Sequence, residues 1–298
     1  MARGRAPAWL PRWARGIDVG RWLVVATPYL WLAIFFLVPF FIVLKISLST
    51  TAAALPPVAP LVTWTSDQVM QLQLHFSNFA FILTDDLYVA AFLHSLEVAA
   101  VSTLLALLIG YPMAYGIARA PPSWRNVLFL MVALPFFTSF LLRVYAWIGL
   151  LGRNGPVNGL LMALGIVDEP IQLLQTDLAV YIGMVYSYLP FMVLPLYAAI
   201  EKLDLTLLEA AADLGARPTR TFFTVTLPLT KEGIYAGCLL VFIPAVGEFV
   251  IPALLGGPGT LMIGRVVWDE FFSNRDWPVA SALAIVLLVL LVGLVMVL

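Results

Sequence analysis

Apolar positions along this chain do not alternate with polar ones at the two-residue period of a half-buried strand. They run together instead. Six mainly apolar stretches, at about 22–48, 90–118, 126–151, 176–200, 233–255 and 279–298, are each long enough for a helix to cross a hydrocarbon core, which takes roughly 20 residues. Gly, Pro and polar residues collect between them, as in "RNGPVN" (Arg153 to Asn158), "GGPGT" (Gly256 to Thr260) and the longer segment with Pro56, Pro57 and Pro60, and predict turns and loops. The pattern predicts an all-α membrane protein with six transmembrane helices: an N-terminal tail over 1–21 and a membrane domain over 22–298. The first stretch has an arginine-rich flank and small residues after it ("STTAAALP", Ser49 to Pro56), as a secretory signal would. Its apolar run is far longer than the roughly 7–15 residues of a signal core, so it is expected to stay as an uncleaved span.

Composition agrees with the pattern. Of 298 residues 62% are hydrophobic and 11% charged, and the mean hydropathy is +0.99, values of a polytopic membrane protein. The net charge of −1 comes with no basic stripe for nucleic acid. The single cysteine, Cys238, excludes an intrachain disulfide, and His75 and His94 stand alone, without the clustered donors a metal site needs.

The distribution of Lys and Arg sets an expected orientation. The tail carries Arg3, Arg5, Arg12, Arg15 and Arg21; no Lys or Arg lies between Ile46 and Ala118. The following loops carry Arg119 and Arg125; Arg153; Lys202, Arg217, Arg220 and Lys231; then Arg265 and Arg275. Rich and poor loops alternate, so the positive-inside rule places the N-terminus and the 201–232 loop in the cytoplasm. The loops left outside, 49–89, 152–175 and 256–278, have net charges of −3, −1 and −1. An acidic outer face would attract a cationic substrate or a basic partner; it is also the ordinary residue of the positive-inside rule.

One compact polar segment stands out, "LLEAAADLGARPTRTFFTVTLPL" (Leu207 to Leu229). Alanine over three consecutive positions favours helix, Gly215 a stop or sharp turn, and Pro218 the first turn of a second helix. A helix, a turn and a helix are predicted on the cytoplasmic side. The small residues would admit another backbone and the flanking charges would set register; a plain amphipathic interfacial helix is the other reading.

The spacing Glu209–Ala210–Ala211, Gly215, Val225, Leu227–Pro228 resembles the EAA loop of ABC-importer permeases, with Val225 where that pattern has Ile. Segments such as "TPYLWLAIFFLVPF", "IGYPMAY", "LPFFTSFLLRVYAWIGLL", "YSYLPFMVLPLYAAI", "VFIPAVGEFVIPALLGGP" and "NRDWPVASALAI" resemble the putrescine-permease type (PotH type) of bacterial polyamine importers, over nearly the whole chain from about Thr27. The resemblance implies a type I ABC-importer permease fold of the bacterial inner membrane. It further implies a second homologous permease, an ABC ATPase dimer that binds ATP and Mg, and a periplasmic polyamine-binding protein. In such a permease Glu209, Ala210, Ala211, Asp213, Gly215, Arg217 and Pro218 would form the ATPase-coupling element. Spermidine or another small cation is the alternative substrate within the class. None of the three lysines follows a glycine as a P-loop requires, so no ATP site and no cofactor are expected in this chain. A secondary transporter would show paired broken helices in two related halves, and no such repeat is seen. No nucleophile–base or metal constellation suggests an enzyme.

Two charges lie deep in the predicted spans. Glu248 sits in "PAVGEF", where Pro244 and Gly247 predict a bend. An ionised group in mid-span faces protein or a water-filled path. A diammonium substrate would use the Glu248 carboxylate and the rings of Phe242, Phe249, Tyr186 and Tyr188; alternatively Glu248 pairs with Arg143 as a buried ion pair. Arg143 is expected to be structural, or a contact to the second permease. Pro190 and Pro195 predict a kink in the fourth span, and Gly110, Gly116 and Gly183 close helix contacts.

Overall fold

The computed structural model describes residues 19–64 and 70–297. Arg3, Arg5, Arg12 and Arg15 of the tail and Asp67 of the first outer loop lie outside the described residues. The first span is α1 (Val24–Ser47). A short antiparallel ribbon, β1 (Val62–Trp64) with β2 (Met70–Leu72), and the helix α2 (Ser77–Thr84) lead into the 34-residue α3 (Asp86–Arg119). Then come α4 (Pro122–Ala133), α5 (Phe140–Leu151), α6 (Pro156–Ala163) and the fourth span α7 (Asp177–Glu201). The polar segment forms α8 (Thr206–Asp213) and α9 (Pro218–Leu229). The chain ends through α10 (Lys231–Val246), α11 (Val250–Leu255), α12 (Ile263–Trp268) and α13 (Trp277–Val297).

Among the described residues four helices, α1, α3, α7 and α13, are long and apolar enough to cross a membrane. The other two predicted spans are bent. The stretch read as one span at 126–151 divides at Thr138–Ser139, and its two helical parts meet at 94°. A turn of 3-10 helix at Leu134–Phe137 carries Pro135, which has no amide hydrogen to continue the ladder. The fifth span opens with a 68° bend between α9 and α10 and breaks again at Gly247–Phe249. The predicted break near Pro244 is therefore present, three residues later. Pro190 and Pro195, by contrast, lie inside one unbroken helix.

The core forms where α3, α7 and α10 pack against one another. Val98, Ala99, Ala106 and Ala114 of α3 meet Met184, Met192, Val193 and Leu196 of α7 and Val241 and Ala245 of α10, all fully buried. Small residues set the approach distance. A Cβ on Gly110 would come 2.9 Å from Met192 Cγ, and one on Gly183 2.6 Å from Leu255 Cδ1. A Cβ on Gly233 would lie 2.6 Å from Ala199 Cβ and 2.9 Å from the Pro195 carbonyl oxygen; one on Gly237 would lie 2.7 Å from Met192 Sδ. Gly233 and Gly237 are four apart on one face of α10, the small-xxx-small spacing of close helix pairs. Gly116, expected to act likewise, faces open space.

Side-chain contacts sort the connections into two ends. At one end Thr51 donates to Asp276 Oδ1 at 2.8 Å, Tyr88 to Glu270 Oε1 at 2.9 Å, and Thr260 to Asp177 Oδ1. At the other, Arg125 bridges to Glu201 at 3.2 Å and Tyr111 meets Thr230 at 2.9 Å. The loops grouped by contact are the loops grouped by Lys and Arg content. Several acids of the Lys- and Arg-poor end thus hold other loops together, which favours the ordinary reading of its negative charge. The 256–278 stretch is not a plain loop: α12 runs on as a wide helical turn to Ser273, and Ile263 and Val266 are buried with Ile82, Tyr88 and Leu283. In "RNGPVN", Asn158 is fully buried. Its amide donates to the carbonyls of Gly152 and Ile171 and accepts from Ile171 N–H at 3.0 Å, fixing the connection.

Candidate functional site

The break in the fifth span is organised by Glu248. Beyond Val246 the backbone leaves the helix, and α11 begins with amide groups that have no helical acceptor. Glu248 Oε1 accepts from the N–H groups of Phe249, Val250 and Ile251, at 3.1, 2.9 and 3.4 Å. The negative carboxylate sits at the positive end of the new helix. Its other oxygen accepts from the hydroxyl of Tyr188 on α7. Glu248 is 9% exposed, so both oxygens are engaged inside the protein. A Cβ on Gly264 would come 2.3 Å from the Gly247 carbonyl oxygen, so only a glycine at the start of α12 lets that backbone lie against the break.

Among the described residues Arg143 forms no ion pair; the three ion pairs are His94–Glu97, Arg125–Glu201 and Arg265–Asp269. The expected alternative of a Glu248–Arg143 pair is thereby corrected: Tyr188 and three backbone amides take the place of the guanidinium. Arg143 stacks its guanidinium over Phe140 at 5.6 Å and leaves Nε and one terminal nitrogen buried without a hydrogen-bond partner.

The expected aromatic residues divide. Tyr188 joins Glu248. Phe249 stacks on Trp268 at 4.7 Å and 11°, and Trp268 contacts Phe272 at 4.1 Å. These rings line a cavity of about 530 Å³ bounded also by Gly247, Phe271 and α13. Trp268 and Phe272 are functional candidates that sequence reasoning missed, because their segment was taken as loop. Tyr186, two residues from Tyr188, points to a different side of α7. It packs on Trp147 at 5.5 Å and lines a separate apolar cavity of about 570 Å³ with Pro112, Met131 and Pro190. Phe242 is half-buried against the core.

The polar segment takes the predicted form. Asp204 Oδ1 accepts from Thr206 N–H at 3.0 Å at the start of α8. At its end Ala216 N–H donates to Ala211 O at 3.0 Å and Gly215 N–H to Ala212 O at 2.8 Å, the paired bonds of a Schellman cap. That cap needs a left-handed residue, and Gly215 has φ +77°. Arg217 is extended and Pro218 opens α9. Glu209, Ala210, Asp213, Arg217 and Pro218 are exposed and Ala211 is half-buried; none of Glu209, Asp213, Arg217 or Arg220 forms an ion pair among the described residues. Leu214 is 89% and Phe223 65% exposed. Phe222, on the other side, packs edge-on against Tyr111 of α3 at 5.4 Å, tying the segment to the core.

Comparison with known proteins decides the family. A family described as "Binding-protein-dependent transport system inner membrane component" matches residues 106–298. The chain belongs to it. This permease is 42% identical over 275 residues, 92% of this chain and 91% of the other, to the spermidine/putrescine transport system permease protein PotB of Haemophilus influenzae. It is 46% identical over 209 residues, 70% and 76% of the two chains, to the protein of the same name from Escherichia coli. A bacterial alginate ABC transporter solved in complex with an alginate pentasaccharide-bound periplasmic protein has a chain with a TM-score of 0.69 at 18% identity, over 94% of this permease and 93% of that chain. The fold is that of an ABC-importer permease, and the permease is a non-enzymatic, inner-membrane component of a transport system.

Proposed function

We propose that this permease is one half of the translocation path of an ATP-driven importer for polyamines. A second homologous permease supplies the other half, a periplasmic binding protein delivers the substrate, and an ABC ATPase dimer holds ATP and Mg. The two relatives carry a name that pairs spermidine with putrescine, so the substrate proposed is the polyamine class; putrescine, the narrower expectation from the sequence, is a member of it. The N-terminus and α8 lie on the cytoplasmic side in this reading.

The observation that carries the coupling role is the exposed helix–turn–helix over Thr206–Leu229. Leu214 and Phe223 stand largely exposed on it, Phe223 touching edge-on only its neighbour Phe222 among the described rings, while Phe222 and Thr230 grip Tyr111 of α3. A surface of this kind receives a protein on one side and passes displacement to the spans on the other. A Cβ at Gly215 meets nothing within 4 Å in this chain, so a larger residue there tests docking more than packing. Its left-handed φ penalises most side chains by about 1 kcal/mol, and asparagine tolerates it. Gly215→Leu is expected to leave the permease inserted while the ATPase no longer co-purifies and uptake is lost; Gly215→Asn separates backbone strain from bulk. Full uptake by Gly215→Leu would return α8 to the status of an interfacial helix.

A further inference from the structure

The spans contain a carboxylate that the sequence pattern did not single out. Glu97 lies on α3, 11 residues from its first residue and 22 from its last, about 16 and 33 Å along the helix. Its level is that of the Glu248 break. Ser95, two residues earlier, accepts from Ile263 N–H at 2.7 Å, and the next residue, Gly264, lies against the Gly247–Glu248 backbone.

The two carboxylates differ in every other respect. Glu248 is enclosed and takes four hydrogen bonds; the Glu97 side chain is 68% exposed. Its nearest basic neighbour is His94, one turn away, with Nδ1 3.9 Å from Oε2 and Nε2 buried without a partner. Leu93 and Leu104, about one and two turns either side, are exposed apolar residues. Tyr181 of α7 is within electrostatic reach. A carboxylate at this depth does not stay in contact with lipid chains; it faces water or a donor. Among the described residues the one ion-pair contact of Glu97 is His94 at 3.9 Å, and no side chain donates to it within hydrogen-bond distance, so the carboxylate is open to a counter-charge from outside the chain.

We infer that Glu97 lines the translocation route and takes one ammonium group of the polyamine, as the open carboxylate beside the closed Glu248–Tyr188 joint. The inference rests on the polyamine reading above. A cationic substrate leaving water needs an ionised acceptor with open valences, and Glu97, 68% exposed and touched only at 3.9 Å by His94, is open where Glu248 is enclosed.

The test uses the assembled transporter, permease pair and ATPase with its binding protein, in proteoliposomes supplied with putrescine. Glu97→Gln is expected to raise the apparent KM about tenfold or more, the loss of one charge-assisted contact, with maximal rate changed less. The second permease and the ATPase should co-purify as in the parent, and Glu97→Asp should recover part of the KM. Unchanged KM in Glu97→Gln, in a complex that imports putrescine, would overturn the assignment alone. Loss of the second permease from Glu97→Gln would also overturn it and make the carboxylate an interface contact. A parent complex that imports neither putrescine nor spermidine would overturn the polyamine reading, and this inference with it.

Discussion

Glu248 accepts four hydrogen bonds, three from consecutive backbone amides and one from a tyrosine 60 residues earlier. Each has a different consequence on substitution. Glutamine keeps an acceptor for the amides and a polar group for Tyr188. Leucine keeps none, and leaving the part-buried amides of Phe249 and Val250 orphaned costs on the order of 2 kcal/mol. Glu248→Gln should therefore be recovered at near-parental yield after detergent extraction, and Glu248→Leu at several-fold lower yield. Arg143→Met removes no hydrogen bond within this chain and should be recovered normally. Normal recovery of Glu248→Leu would show that the break holds without its carboxylate.

At the scale of elements the close contacts make a paired prediction. On Gly233 a side chain would meet the Pro195 carbonyl and Ala199 Cβ inside 3 Å, and backbone does not yield as a side-chain tip does. Gly233→Val should lower the thermal aggregation midpoint of the purified permease by several degrees, while Gly116→Val, facing open space, should leave it unchanged. The two positions look alike in the sequence, a glycine at the end of an apolar stretch within three residues of a charge, because nothing local says which face meets a neighbour. The helix–turn–helix over Thr206–Leu229 was legible for the opposite reason: alanine run, Gly215 and Pro218 dictate helix, left-handed turn and helix start by local sterics alone. The fifth-span break was legible from Gly247 and the buried charge, but its partner was not, since Tyr188 arrives from another span. The division of the third span went unread because "LPFFTS" keeps the run apolar; only Pro135 hints at it. Trp268 and Phe272 were hidden by the charges around them, Arg265, Asp269 and Glu270, which imitate a loop.

For the whole molecule, the contacts that gather the connections into two ends give sidedness a test independent of charge counting. In a Cys238→Ala background, single cysteines at Ile166 and Thr219, both exposed, lie at opposite ends. In intact cells an impermeant thiol reagent should label the first and reach the second only after the membrane is opened. Labelling of Thr219→Cys alone in intact cells would invert the orientation argued from arginine and lysine.

The broken third span has a consequence for how the chain is made. Its first half, Pro122–Phe137, is about 24 Å long, short of a hydrocarbon core of about 30 Å. Both halves lean on α7 through ring pairs, Phe129 on Tyr197, Phe136 on Phe191 and Trp147 on Tyr186. The ribosome delivers these rings before the helix that receives them. During that interval the third span has α3 beside its first half, through Arg125 and the Ala118 carbonyl, but none of the rings that its two halves pack against. It must wait beside α3, or in the care of the insertion machinery, until α7 follows it into the bilayer. Synthesis of the fourth span thus gives both halves of this bent hairpin the rings they pack against.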